Sequence, residues 1–410
     1  MNDHSGGARK IERPGVRETC PVGRGDDGTW QVRGYAQARA VLRSDTTVQA
    51  GLGIETVEKL PARIRRPVLY RDGPEHREHR RQTAKYFTPR RVDERYRGLM
   101  EEMADAQLAK LRAAGEAQLS ELSFGMAIGV VSSIVGLTSG KPGLRGRLER
   151  FFPEEYGRPG LTSASGIYWL FRQNANWLRI YLADVRPAIR DHRREPRDDL
   201  ISHLIAEGCT GAEILGECLT FAAAGMVTTR EFICVAAWHL FSDDALLERY
   251  RAEDEPGRLA VLHEIVRLEP VVGRLLRRTT GAIELDGADG PVTVPAGALV
   301  EVFVDAANTD ARAVGADPLS VCPGRAIDGG TGTGAGTGSA ALAFGDGAHR
   351  CPGAGIAILE TDIFLSRLFA MEGIRMASAP RVTFDNDIGG YEIRGLTVST
   401  GPGGAAGAPD

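Results

Sequence analysis

Apolar residues recur at spacings of three and four along most of the chain, so helices dominate the reading. Arg33 to Arg43 mixes apolar and basic positions at helical spacing. The turn formers of Pro61 to Pro74 interrupt before a strongly charged helical stretch, Glu75 to Phe87, which stops ahead of Pro89. Met100 to Leu137 reads as helical stretches broken near Gly115, and the apolar run from Phe124 to Leu137 belongs in a core. Phe151 to Trp177 mixes aromatics with Pro and Gly and is expected to be a mobile helix-loop-helix that serves as a substrate lid. Glu213 to Leu240 predicts a long apolar helix in which Ala222, Ala223, Ala224 and Gly225 remove side-chain bulk over about one turn. Leu246 to Leu268 is helical again, and Ala282 to Phe303 alternates with turn signals as short strands do.

The expected fold class is therefore mainly α with small β-sheets. One domain over residues 26–400 is expected, between a flexible segment 1–25 and a flexible Gly/Ala/Pro tail 401–410. The Gly/Thr-rich run Gly329 to Ser339 has no means of burying a core.

Composition narrows the class. Over 410 residues, 42% are hydrophobic and 25% charged, which is ordinary for a globular protein. A formal charge of -4 offers no electrostatic footprint for nucleic acid. Met1 to Lys10 is polar, without the apolar run of a signal peptide or anchor, so a soluble, cytoplasmic protein with no membrane partner is expected. The six cysteines contain no CxxC pair, which argues against a disulfide framework or a Cys-rich zinc site. Cys351 alone sits among residues that suggest chemistry.

That setting is Phe344, Gly345, Asp346, Gly347, Ala348, His349, Arg350, Cys351, Pro352, Gly353, leading into a helix from Ala354 to Met371. Glycines on both sides let backbone turn closely around a sulfur, and the helix places its positive end near it. A structural cysteine in a Gly-rich turn is the plain alternative. Glu264 and Arg267, three apart, share a helix face and suit an ion-paired network. His76 and Arg80, four apart within Asp72 to Arg81, stack on one face and suit an anionic group. Ala224, Gly225, Met226, Val227, Thr228, Thr229 lies in the long apolar helix, where a Thr hydroxyl bonded only to its own backbone is the alternative to a reacting role.

Taken in order, these four segments resemble the cytochrome P450 family, soluble bacterial type. The resemblance implies the P450 fold, with haem b between the long central helix and the cysteine loop and its helix. It makes Cys351 the axial iron ligand, with Phe344, His349 and Gly353 in the haem loop. His76, Arg80, Arg277 and His349 would hold the propionates. Glu264 and Arg267 would form the structural pair. Thr228, Gly225 and Ala224 would serve the oxygen side, Gly225 leaving room for dioxygen. Phe221, Val227, Val271 and Leu275 become candidates for the substrate pocket, and Arg274 pairs either a substrate carboxylate, a propionate or solvent.

The sequence departs from the family pattern at three positions. Val227 stands where an acid is usual, and Glu231 one turn beyond Thr228 either substitutes or pairs with Arg230. Pro352 lacks an amide hydrogen to donate toward the sulfur, which predicts a more electron-rich thiolate. Thr309 replaces an Arg near the Glu264 network, leaving Arg312 and Arg325 as possible substitutes.

The implied activity is mono-oxygenation of a medium-sized organic substrate, a natural-product intermediate, using dioxygen. Electrons would come from NAD(P)H through a separate ferredoxin and ferredoxin reductase, docking on a basic face that includes Arg80, Arg81, Arg90 and Arg350. A monomer is expected. Alternatives are oxidative coupling or ring formation, a peroxide-driven oxidase, and a haem sensor or carrier without turnover.

Overall fold

A computed structural model describes residues 9–11, 20–51, 53–57, 64–151, 163–327, 340–385 and 389–401. Much of the expected flexible ends, the Gly/Thr-rich run 329–339 and part of the proposed lid (152–162) therefore lie outside the described residues.

The long apolar helix runs continuously from Gly211 to Phe241. A capping box starts it: the Thr210 hydroxyl accepts from the Glu213 amide, and the Glu213 carboxylate accepts from the Thr210 amide. Its second half is buried because Ile233, Cys234, Val235, Ala236 and Ala237 present apolar atoms all round. By length and composition the helix is able to cross a membrane, but these residues sit inside the main core cluster. Helices Arg97–Ala114, Leu119–Val135, Glu255–Leu268 and Ala354–Phe369 complete that core.

One departure from α geometry interrupts the central helix. Ala223–Val227 forms a π turn between Gly211–Ala222 and Thr228–Phe241. A π turn holds one extra residue, tolerated here because small side chains at 223–225 do not crowd the widened turn.

A mixed five-stranded sheet has the spatial order Val22–Arg24, Trp30–Val32, Leu299–Phe303, Arg274–Thr279, Thr47–Ala50. Trp30–Val32 and Leu299–Phe303 pair in parallel, and the other neighbours are antiparallel. The register sets Arg277 opposite Gln49, which matters for the site. The expected strands near 282–303 are present as Ile283–Asp286, Pro291–Val294 and Leu299–Phe303.

Glu264 and Arg267 form the expected pair, doubly bonded at 2.7 and 3.0 Å. Arg267 is wholly buried and also donates to the carbonyls of Asn308, Pro318 and Ser320. Glu264 accepts further from the Cys322 amide at 2.9 Å and from Arg325 at 3.2 Å. Arg325 thus joins the network that Thr309 leaves. Thr309 instead bonds the Asp305 and Ala306 carbonyls, and Arg312 pairs with Asp310 at the surface. Removing one partner of a buried pair strands the other charge. Glu264→Ala should destabilise the protein by about 3–5 kcal/mol, read from the denaturant midpoint. A cost below about 1 kcal/mol would show that Arg325 and the carbonyls suffice without Glu264.

A strap, residues 65–71, lies along the start of the central helix. The Arg65 amide donates to Glu213 at 2.7 Å, the Val68 amide to Glu217 at 2.9 Å, and Arg71 to Glu217 at 2.9 Å. Gly216 lies close under the strap, since a Cβ there would stand 3.3 Å from Pro67 and press on it. His79, on helix Gly73–Thr83, is buried beside this group, and burial together with Arg71 and Arg65 pushes its pKa down to about 3. The folded protein therefore keeps His79 neutral while the unfolded chain takes up its proton near pH 6.5. Stability should fall as pH drops through that window, by up to about 1.4 kcal/mol per pH unit. His79→Leu should flatten the dependence of the urea midpoint between pH 7 and 5. An unaltered slope would assign the acid sensitivity elsewhere.

Candidate active site

The loop before helix Ala354–Phe369 is shaped by backbone. The Cys351 amide donates to the Phe344 carbonyl at 2.8 Å, closing the turn on itself. Gly347 sits at φ +66°, and a Cβ there would stand 2.2 Å from the Leu42 carbonyl oxygen, so only glycine fits. Arg39 on helix Tyr35–Arg43 bonds Asp346 at 2.9 Å and fixes the other flank. Phe344 is half-buried against the main core.

The Cys351 side chain is accessible, yet enough protein surrounds it that burial pushes its thiol up. That combination describes a sulfur facing a cleft within the fold. The Gly353 and Ala354 amides, with Arg80 and Arg350, act in the opposite direction by favouring the thiolate. Pro352 does remove one possible donor, but the sulfur keeps amide donors at the next two residues, so the expected electron enrichment is smaller than Pro352 alone implies. Gly355, one turn along, is exposed, as is Ala224 on the central helix.

A basic cluster adjoins the loop, and Asp72 organises it. The Asp72 carboxylate accepts from the Gln49 amide at 3.0 Å and from His349 at 2.8 Å, which holds it below the usual carboxylate range despite burial. The His349 ring stacks on His76 at 4.1 Å. Burial, then the charge of His349, pushes His76 down to about 4. Arg277 is buried opposite Gln49, lowered to about 10 by burial against the pull of Asp72, and bonds its own strand's Leu276 carbonyl. Arg80 donates to the Arg350 carbonyl at 2.5 Å. His76, Arg80, Arg277 and His349 therefore converge on the cysteine loop from a helix, a strand and the loop itself. The sequence reading missed Asp72 as the common partner of His76, Arg277 and His349, although its place before Gly73 and Pro74 marks a helix start.

On the central helix, the Thr228 hydroxyl donates to the Ala224 carbonyl at 2.5 Å, across the π turn. The backbone-bonded alternative is thus the arrangement present. Gly225 has a packing role: a Cβ would lie 2.7 Å from Val131 on helix Leu119–Val135. Glu231 is buried, accepting from Arg230 at 2.7 Å, Arg394 at 2.8 Å and the Ile393 amide at 2.7 Å. It is ion-paired as one reading expected, and fully engaged.

The pocket candidates separate. Phe221 is half-buried and stacks on Phe87 at 5.9 Å, and Val227 is half-buried on the π turn. Leu275 packs beside the sheet cluster near Gly345. Val271 is buried at the edge of the main core cluster. Arg274 pairs with Glu301 at 3.2 Å rather than standing free.

The cytochrome P450 family model matches residues 259–371, which include the Glu264–Arg267 pair and the cysteine loop. The chain is similar to pentalenic acid synthase of Streptomyces avermitilis, 30% identical with 88% of this chain and 87% of the relative covered. It is also similar to erythromycin C-12 hydroxylase of Saccharopolyspora erythraea, 28% identical over 91% and 87%. Among solved structures, CalO2 matches with a TM-score of 0.74 at 23% identity over 94% of each chain, and P450BioI in complex with an acyl carrier protein with 0.73 at 21% over 92% and 95%. With the cysteine loop, the buried Glu-Arg pair and the fold all in agreement, the chain belongs to the cytochrome P450 family.

Proposed function

We propose that this P450 mono-oxygenase oxidises a medium-sized natural-product intermediate at a haem b held by Cys351, with electrons delivered by a ferredoxin and its reductase. The observation that carries the reading is an accessible sulfur inside the fold, its thiolate favoured by the nearby Gly353 and Ala354 amides and flanked by a basic cluster. The residues fit the cofactor by their chemistry. The sulfur would supply one ligand to the iron, His76, Arg80, Arg277 and His349 suit two carboxylates, and the exposed Ala224 and Gly355 would leave room for a flat macrocycle. Bound haem supplies activation of dioxygen with two electrons and transfer of one oxygen atom.

The chain's own residues tune and position. The Gly353 and Ala354 amides would spread charge off the sulfur, and the loop glycines let backbone turn closely around it. Asp72 orients His349, which in turn fixes the His76 ring. Thr228 is placed beside the π turn, where exchange of its Ala224 bond for a bond to a bound molecule costs little, since a widened turn leaves carbonyls under-used. Val227 offers no proton, so the relay runs through Thr228 with water or a substrate group.

Substrate class rests on the relatives, which include tailoring enzymes such as the Streptomyces venezuelae mono-oxygenase PikC and nocardicin C N-oxygenase of Nocardia uniformis. For electron delivery, Arg81 and Arg90 are exposed but paired with Glu78 and Glu94, and Arg80 is partly covered, so Arg350 is the exposed basic residue nearest the cysteine.

The test is spectroscopic first. Reduced protein treated with carbon monoxide should show the long-wavelength Soret band of thiolate ligation, and Cys351→His should lose it while retaining the fold. A folded, haem-loaded wild type without that band would end the assignment. A metabolite screen for the Soret shift on loss of iron-bound water, followed by turnover with NAD(P)H and redox partners, should yield products heavier by one oxygen. Products lighter by two hydrogens would instead support oxidative coupling, which the missing acid at Val227 favours.

Because Glu231 is committed to Arg230, Arg394 and Ile393, Glu231→Gln should lower stability by about 1–3 kcal/mol and leave the solvent isotope effect on turnover unchanged. A raised isotope effect with unaltered stability would make Glu231 a proton donor.

A further inference from the structure

Among the described residues, seven large apolar side chains are exposed, and five of them, Ile167, Tyr168, Phe171, Leu178 and Leu182, belong to one helical segment. They lie on helix Ala164–Ile180 and the π turn Tyr181–Val185 that continues it. Phe171 is 76% exposed, well beyond what an isolated surface phenylalanine needs explaining.

The spacing is more specific than the exposure. Tyr168, Phe171, Ala175, Leu178 and Leu182 alternate by three and four, the seam of a heptad repeat, and run about 21 Å along the axis. Arg172 and Arg179 each follow a seam residue, seven apart, so both guanidinium groups border the same edge. The opposite edge carries Ile167, Asn174 and Tyr181. Helix Ala164–Ile180 contains no Asp or Glu. The next acid, Asp184, is buried against Arg147. Arg172 donates to the Arg150 carbonyl and Arg179 to Asn176, and neither pairs with a carboxylate among the described residues.

The inner face of the same helix is already occupied: Ile180 is buried, Trp177 meets Phe151 edge-on at 5.5 Å, and Asn176 bonds the Arg150 carbonyl at 2.9 Å. The outer seam is therefore not the face that folding uses. Its charge decides what fits it. In a pair of identical helices each arginine edge would meet arginines or the uncharged edge, with no acid to answer it. A bilayer surface favours cations on both borders of an apolar stripe, whereas here one border is uncharged. A helix with an apolar seam and carboxylates along one edge satisfies both the apolar and the charged positions.

We propose that the Tyr168–Leu182 seam is a docking surface for an acidic amphipathic helix of a partner protein. Its partner would be distinct from the electron carrier expected at the face around Arg350.

The haem-loaded full chain is titrated, by fluorescence anisotropy, with a labelled synthetic helix of about three heptads carrying Leu on its seam and Glu along its edges. A matched peptide with Lys for Glu is the control. The acidic peptide should bind and the basic one should not. Leu178→Glu should weaken binding by roughly tenfold or more. Arg172→Glu with Arg179→Glu should do likewise and transfer the preference to the Lys peptide. All variants should keep the absorption spectrum of the wild type, which reports an intact fold. Equal binding by wild type and Leu178→Glu, or absence of binding by wild type, overturns the proposal. So does a wild-type dimer in sedimentation that Leu178→Glu dissolves, or Leu178-dependent binding to phosphatidylglycerol vesicles. Reduction by ferredoxin and its reductase should be the same in wild type and Leu178→Glu; a parallel loss would identify the face as the electron carrier's and overturn the assignment to a separate partner.

Discussion

The Asp72 carboxylate joins three parts of the chain that folding must bring together. It accepts from the Gln49 amide on a sheet edge and from His349 in the cysteine loop, while its own backbone leads directly into the helix bearing His76 and Arg80. A half-buried carboxylate in this position is stable only while its donors are in place, since burial alone would neutralise it. The bond to His349 therefore makes the loop geometry and the helix position depend on each other. Three of the site's basic groups, His76, Arg277 and His349, share this one anionic partner, while Arg80 is left to the Arg350 carbonyl and the charge of the Cys351 sulfur.

The scaffold behind this junction is rigid for a different reason. Arg267, with no exposed surface, is answered by one carboxylate and three carbonyls, and Arg325 adds a second cation to the same carboxylate. The network ties the Glu255–Leu268 helix to segment 308–325, which precedes the cysteine loop. The strap of residues 65–71 plays a corresponding part on the other side, fastening the chain just ahead of Asp72 to the first turns of the central helix.

Much of this was legible in the sequence because the chemistry constrains neighbours. A sulfur approached by backbone needs glycines at near positions, and Gly345, Gly347 and Gly353 supply them within ten residues of chain. Helix periodicity likewise located the main elements, whereas the Ala-rich middle of the central helix read only as a loss of side-chain bulk and not as the π turn found there. What was not legible depends on contacts between distant positions. Asp72 meets residues 23 and 277 positions away, so no local pattern announces the bond. The choice of Arg325 over Arg312 turns on which guanidinium reaches Glu264 in space. Gly225 read as room for dioxygen, while its neighbour in the fold is Val131 on another helix. The aromatic content of Phe151 to Trp177 drew attention to mobility and obscured a heptad spacing that was present all along.

The π turn at Ala223–Val227 carries a consequence for how this chain tolerates change in length. An α-helix advances about 100° per residue, but a π turn takes up its extra residue within one widened turn, so the two flanking segments keep nearly the phase of an uninterrupted helix. Trimming one residue there would restore a regular turn and leave Glu213 and Glu217 facing the strap they hold. Removing a residue elsewhere in the helix would instead rotate one end against the other, so this turn is where the element can absorb a change of length, at the expense of the widened geometry beside Thr228.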